Sequence, residues 1–233
     1  MKFKATRPSI LYCGYRDWAI NIHSYLRSHI HPHEGSALYK ITLVKDQNEF
    51  LKIKNFKEFD AILFIGWSWI VPDHVVNNNK CICLHPSKLP KYRGGSPLQN
   101  QIIDGVEDSA VTLFIMDKQL DHGPILYQED LSLKGNLTDI FERIEKIGFK
   151  GITKILDNWG KIIPRKQKHK QATIYKRRKP QQSEILVSDF NFFTAKELYN
   201  KIRSLGDPYP NAYIKCKDGT KLYLKESDYE KER

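Results

Sequence analysis

The chain has 233 residues, 40% of them hydrophobic and 12% aromatic, and a formal net charge of +11. That composition supports one sizeable core and excludes a disordered chain. The densest apolar stretch, Ala61 to Ile65 with a tail to Val71, is broken by Gly66 and Ser68 and is too short to cross a bilayer. The opening Met1-Lys2-Phe3-Lys4 leads into Thr6, Arg7 and Pro8 without a signal-peptide apolar region, so a reducing, cytoplasmic compartment is expected.

Ser9 to Cys13 is a short apolar run ending at Gly14 and reads as a buried strand. Asp17 to Ser28 carries Trp18, Ile22, Tyr25 and Leu26 at helical spacing. Leu38 to Val44 is a second strand, Phe50 to Phe59 an ambiguous polar connector, and Ala61 to Ile65 a third strand. A short helix begins over Pro72 to Val76, and Cys81 to Leu84 is another buried strand. Strands alternating with helical segments predict an α/β fold around a mostly parallel sheet.

Pro97 to Ile103 reads as a helix with Ser96 at its N-cap, and Gly105 stops it. Ala110 to Met116 and Ile125 to Leu133 are strands joined by a turn holding Asp117, Asp121, His122 and Gly123. Thr138 to Trp159 is a long helix capped by Asn136 or Thr138, with Gly148 and Gly151 expected to weaken it. Residues 1–160 form one predicted domain; residues 161–233 form a basic linker and a small α+β appendage that packs on the main body. The appendage holds a strand (Ala172 to Tyr175), a helix (Thr194 to Leu205) and a hairpin (Ala212 to Cys216 and Lys221 to Leu224) turning at Asp218-Gly219.

Nine basic residues and no acid lie between Lys161 and Lys179. Such a run draws polyanions, but the more ordinary reading is a solvated linker. Only Tyr175 interleaves it, which gives little support for a single-strand stacking platform. Of the four cysteines, Cys81 and Cys83 lie two apart, hence on one side of a strand, and none has zinc-site spacing. Cys13, Cys81 and Cys216 read as small hydrophobes. No metal is expected. Cys13-Gly-Tyr-Arg-Asp-Trp stands where a nicotinamide enzyme would carry its glycine-rich turn, which disfavours that class.

The densest unusual segment runs from Cys83 to Asn100: a buried strand enters His85, then two prolines and two glycines shape a loop before the next helix. In an open parallel sheet, ligands bind at the carboxyl ends of strands, and a histidine there is a proton-transfer candidate. The segment resembles the folate-dependent formyltransferase family, whose signature is Asn-x-His, a Ser-Leu-Leu-Pro-x-x-Arg-Gly loop and a Pro-x-Gln helix. Here these stand as Cys83-Leu-His85, Ser87-Lys-Leu-Pro90, Arg93-Gly94 and Pro97-Leu-Gln99. The family's Val-Thr strand and Leu-Asp-x-Gly turn appear as Val111-Thr112 and Leu120-Asp121-His122-Gly123, with Asp121 placed 36 residues after His85 as in the family. Gly66-Trp-Ser-Trp-Ile-Val-Pro72 looks like the family's pterin-holding loop, and Ile202-Arg203-Ser-Leu205 with Pro208-Tyr-Pro210 resemble its C-terminal stretch.

The resemblance implies a Rossmann-like fold and formyl transfer from 10-formyltetrahydrofolate to an amine. His85 would shuttle the proton, Asp121 would orient the imidazole, and the developing oxyanion would need a donor. Without the family pattern, Asp121 reads rather as an ordinary turn residue bonding its own backbone. Cys83 stands where the family has Asn, and a thiol is a weak donor. Either Cys83 is a poor substitute, or protonated His85 and a backbone N–H do that work; a nucleophilic thiol is the less favoured option. Trp67, Ser68, Trp69, Ile70, Ser87, Leu89 and Leu120 are expected to hold the folate. Arg16, Pro90, Lys91, Tyr92, Arg93, Gly94 and Tyr209 are expected to hold the acceptor, with Arg16 on a pyrophosphate.

By resemblance the acceptor is initiator methionyl-tRNA, a glycinamide ribonucleotide or a nucleotide-linked amino sugar. The short form with a compact tail looks most like sugar N-formyltransferases of surface-polysaccharide pathways, acting on a dTDP-linked 4-amino-4,6-dideoxy sugar or its 3-amino isomer. The alternatives are a methionyl-tRNA formyltransferase-like enzyme and a non-catalytic RNA-binding relative using the basic run. A homodimer is expected, because the strands Ala212 to Cys216 and Leu222 to Leu224 leave apolar edges wanting a partner.

Overall fold

The computed structural model describes residues 8–29 and 39–230. Its core is a six-stranded sheet in the order β2-β1-β3-β4-β6-β7. Strands β1 (Ser9–Cys13), β2 (Lys40–Val44), β3 (Ala61–Ile65) and β4 (Cys81–His85) are mutually parallel. The strands β6 (Asp108–Ile115) and β7 (Ile125–Ser132) close that side antiparallel. The α/β architecture expected from the alternating pattern is what the chain adopts. Of the expected second strand, Leu38 lies outside the described residues.

Side-chain alternation divides the core in two. Ile10, Tyr12, Leu63, Ile65, Ile82 and Leu84 point to one face, where helices α1 (Asp17–Ser28) and α5 (Leu137–Asp157) lie side by side. Trp18 of α1 stacks on Phe141 of α5, and Asn21 donates to Glu145 at 3.0 Å. Leu11, Cys13, Ile62, Phe64 and Cys81 point the other way, against Phe50 of α2 (Gln47–Leu51) and Val75 and Val76 of α3 (Asp73–Asn78). By the same period of two, His85 projects with Cys81 and Cys83, away from α5. The ambiguous connector after β2 therefore resolves into α2 and a 3-10 turn over Phe56–Glu58; Asp46 caps α2 by accepting from the Glu49 amide.

Helix α5 is started by a capping box, in which Asn136 accepts from the Asp139 amide and the Asp139 carboxylate from the Asn136 amide. Its two glycines are not mere weaknesses. A Cβ at Gly148 would sit 2.8 Å from Ile22 Cδ1, and one at Gly151 would sit 2.5 Å from Tyr127 Cδ1. They let the helix approach α1 and the sheet closely, which is a packing reason that local propensity cannot show. Helix α4 (Pro97–Ile103) follows Ser96, but the Ser96 side chain does not cap it: the residue is left-handed, and its Oγ accepts from the Arg178 amide instead.

That bond exposes a larger correction. The segment 161–179 is not a free linker. Arg165 exchanges backbone hydrogen bonds with Ile125, Gln167 is buried, and β8 (Ile174–Tyr175) pairs in parallel with β5 (Arg93–Gly94). The lysines stay exposed, while Gln167, Thr173 and Tyr175 among them bond to or pair with the loop after β4. Beyond it come α6 (Ala195–Arg203), capped by Thr194 and Glu197, and the hairpin of β9 (Ala212–Lys215) and β10 (Lys221–Leu224). This end docks on the body: Arg203 donates to the carbonyls of Leu133 and Gly135, and Tyr209 packs on Phe141. No helix among the described residues is long and apolar enough to cross a membrane.

Candidate active site

His85 is the last residue of β4 and is 5% exposed. Its Nε2 lies 2.7 Å from the Tyr92 carbonyl oxygen, and its Nδ1 lies 3.5 Å from Asp121 Oδ2. A carbonyl only accepts, so Nε2 carries a hydrogen in this arrangement, and Nδ1 is the ring nitrogen that faces the carboxylate. Asp121 comes from the turn after β6, which folds back along β4; the Met116 amide donates to the Cys81 carbonyl at its base. Asp121 has a φ of 48°, and its Oδ2 accepts from the Gly94 amide at 2.7 Å. The side chain is therefore not spent on its own turn, as an isolated turn Asp would be.

The loop between His85 and α4 is fastened at several points. The Ser87 hydroxyl donates to the Lys91 carbonyl, and Thr112 Oγ1 donates to the Ser87 carbonyl at 2.6 Å. Gln101 donates to the Pro86 carbonyl, and the Tyr92 amide donates to Thr173 Oγ1 at 2.8 Å. Such anchoring holds reacting groups in place before a substrate arrives. Tyr92 thus meets His85 through its backbone; its ring stacks on Tyr175 and its hydroxyl donates to Asp104. Arg93 is buried, with Nη2 donating to Gln167 Oε1 at 2.6 Å and lying 2.9 Å from His169 Nδ1. Its guanidinium is committed inward, while Lys91 is exposed and Pro90 half-buried.

Cys83 is half-buried two residues before His85 and packs with Leu89, Phe114 and Ile125. Burial pushes the thiol well up, and the nearby Asp121 carboxylate and then Cys81 push it further. The sulfur is held as a neutral thiol, which argues against a nucleophile and leaves a weak donor.

The loop after β3 is aromatic. Trp69 packs on Tyr15 and on Trp67, and Tyr15 Oη lies 2.7 Å from Ser68 Oγ. Trp67 Nε1 is buried without a hydrogen-bond partner among the described residues, an orphan donor of the kind a polar heterocycle would satisfy. Ile70 is 93% exposed and Leu120 is 59% exposed, whereas Ser87 and Leu89 are buried under the loop. The Arg16 guanidinium lies 5.2 Å from the Tyr15 ring centre and 5.3 Å from that of Tyr209. The structure thus gathers His85, Asp121, Cys83 and Gly94 around one point, and Arg16, Tyr15, Trp69, Ser68 and Tyr209 around another.

A formyl transferase domain matches residues 16–156, more than half the chain and including every residue of the His85–Asp121 constellation. The chain belongs to the formyl transferase family. Formyltransferases of this family draw on formyl-tetrahydrofolate. A curated relative, the methionyl-tRNA formyltransferase of Rickettsia bellii, is 30% identical over 84% of this chain and 63% of its own length. The chain therefore spans under two thirds of that relative. Among solved structures, a methionyl-tRNA formyltransferase from Clostridium thermocellum superposes with a TM-score of 0.77 at 31% identity, covering 93% of this chain and 97% of that one. A 4-N formyltransferase from Francisella tularensis superposes with a TM-score of 0.74 at 19% identity, covering 96% and 99%; at that identity it bears on the fold alone.

Sequence reasoning missed Gln167, His169 and Thr173, all in the basic segment. Their neighbours are lysines and arginines, so composition reads the stretch as solvated. No local periodicity marks a residue that is buried by a loop 74 positions away.

Proposed function

We propose that this formyl transferase moves a formyl group from 10-formyltetrahydrofolate to the primary amine of a small, nucleotide-linked amino sugar. The observation that carries the transfer chemistry is the His85–Asp121 pair, with the carboxylate fixed on the Gly94 amide. The folate donor, packed against the loop of Trp67, Ser68 and Trp69, supplies the formyl carbon. The amine nitrogen bonds to that carbon, the carbon's bond to the folate nitrogen breaks, and the amine proton passes through the imidazole to the departing nitrogen. His85 takes that proton at Nδ1, where the Asp121 carboxylate balances the charge. With Nε2 held on the Tyr92 carbonyl and Nδ1 beside Asp121, the charged imidazole acts on the developing oxyanion through its positive field and so supplements the weak Cys83 donor.

The acceptor reading rests on Arg16. Its guanidinium sits between two tyrosine rings and makes no ion pair or hydrogen bond among the described residues, so it is available to a pyrophosphate. A second reading, methionyl-tRNA as acceptor, is favoured by the 30–31% identity to enzymes of that name. One experiment tests both. The purified chain is incubated with 10-formyltetrahydrofolate and, separately, dTDP-4-amino-4,6-dideoxyglucose, its 3-amino isomer and methionyl-tRNA, and products are weighed for one added formyl. Modification of a sugar supports the first reading, modification of tRNA alone replaces it with the second, and no formylation of any amine defeats both.

A further inference from the structure

We infer that Gln167 is a positioning residue for the proton-transfer pair; the inference rests on the formyl transfer proposed above. Gln167 is 5% exposed and lies in the basic segment beyond the matched domain. Its Nε2 donates to the Asp121 carbonyl at 3.0 Å and to the Gly123 carbonyl at 2.7 Å. Its Oε1 accepts from Arg93 Nη2 at 2.6 Å and Arg93 Nε at 3.3 Å. Both hydrogens and both acceptor directions of the amide are used, which is everything the group can offer.

The partners are what make this more than a satisfied core amide. One arm holds the main chain of Asp121, the residue whose carboxylate faces His85, and Asp121 is in the left-handed region at φ 48°. That conformation is unfavourable for a non-glycine residue and persists only where the surroundings impose it. The other arm holds Arg93, whose neighbour Gly94 grips the same carboxylate through its amide. Gln167 thus ties the two ends of a ring: Asp121 carbonyl, Gln167, Arg93, Gly94, Asp121 carboxylate. Open the ring, and the Asp121 peptide is free to leave its strained conformation and swing the carboxylate off His85.

Gln167→Glu separates this role from bulk. Glutamate keeps an acceptor for Arg93 at the same length but, ionised, has no hydrogen to give the two carbonyls. The expected result is a fall in kcat of about a hundredfold, as for a misplacement of about an ångström, with KM for both substrates within about twofold of wild type and the melting temperature nearly kept. A crystal structure of the variant should show the carboxylate displaced from the Gly94 amide. In the wild-type chain, NMR should show both Gln167 side-chain amide protons protected from exchange, whatever the variant's folding. Unchanged kcat, a carboxylate still on Gly94 in the variant, or freely exchanging Gln167 protons overturns the inference. If the wild type formylates no amine but the variant's Asp121 has moved, the functional reading fails and the positioning stands.

Discussion

The Gly94 amide donates to Asp121 Oδ2, the same oxygen that faces His85 Nδ1 at 3.5 Å. One carboxylate oxygen therefore joins the loop after β4 to the imidazole at the end of that strand. Asp121→Asn can keep the Gly94 bond through its carbonyl oxygen but cannot balance a charged imidazole. Activity should fall about a hundred- to ten-thousand-fold, with the melting temperature little changed. Steady-state formyl transfer beside a thermal melt checks this; a variant within about threefold of wild type would remove Asp121 from the mechanism.

Cys83→Asn should be tolerated or faster, because an amide N–H is a better oxyanion donor than a thiol held neutral by burial. Loss of activity in this variant would instead assign the sulfur a specific role. The same burial predicts selective labelling. Cys216 is exposed, whereas Cys13 and Cys81 are buried and the Cys81 thiol is pushed up to about 12. Native alkylation followed by peptide mass analysis should modify Cys216 first and leave Cys13 and Cys81 until the chain unfolds.

Gly151→Ala sets helix propensity against packing. Propensity alone favours alanine by about 1 kcal/mol. The added methyl, 2.5 Å from Tyr127 Cδ1 and 2.6 Å from Leu113 Cδ1, should reverse the sign and destabilise by about 1–3 kcal/mol. Gly206→Ala, where the new carbon meets Leu137 Cδ1 at an ordinary 3.6 Å, is the control and should change little. Denaturant unfolding reads both; a more stable Gly151→Ala would mean that α5 has room to spare.

Stability should fall on mild acidification. His169 stacks on His122 at 3.9 Å and is held below the ordinary value of 6.5 by lost hydration, then by His122 and Arg93, with Asp117 opposing. His23 is lowered as well, by burial and then by Arg27 and Lys45. The unfolded chain binds these protons more readily than the folded one, so stability is full above 6.5 and declines as pH drops below it. The melting temperature should drop between pH about 7.5 and about 5.5, and His169→Gln should flatten part of that slope. A slope unaffected by His169→Gln would place the sensitivity elsewhere.

Much of this was legible from residue patterns because the signals were local. Short apolar runs gave the strands of the sheet, and helical spacing placed a long helix after Asn136 and another from Thr194, where the structure shows capping boxes completed by Asp139 and Glu197. His85 and Asp121 stood out through their flanking motifs. The parts that were not legible depend on distant contacts. Ser96 looks like a cap but serves Arg178, Gly148 and Gly151 look like flaws but admit side chains from other elements, and Gln167 looks solvated but is enclosed by Arg93 and the Asp121 turn. Tyr92, expected only to hold the acceptor, also meets His85 through its carbonyl.

The most direct measurement is the rate of formyl transfer by wild type and His85→Ala side by side, with 10-formyltetrahydrofolate and the acceptor that the panel identifies. The account predicts one added formyl on that amine with wild type and a rate about a hundred- to ten-thousand-fold lower without the imidazole, while the fold is retained. A His85→Ala chain that formylates at close to the wild-type rate would contradict it.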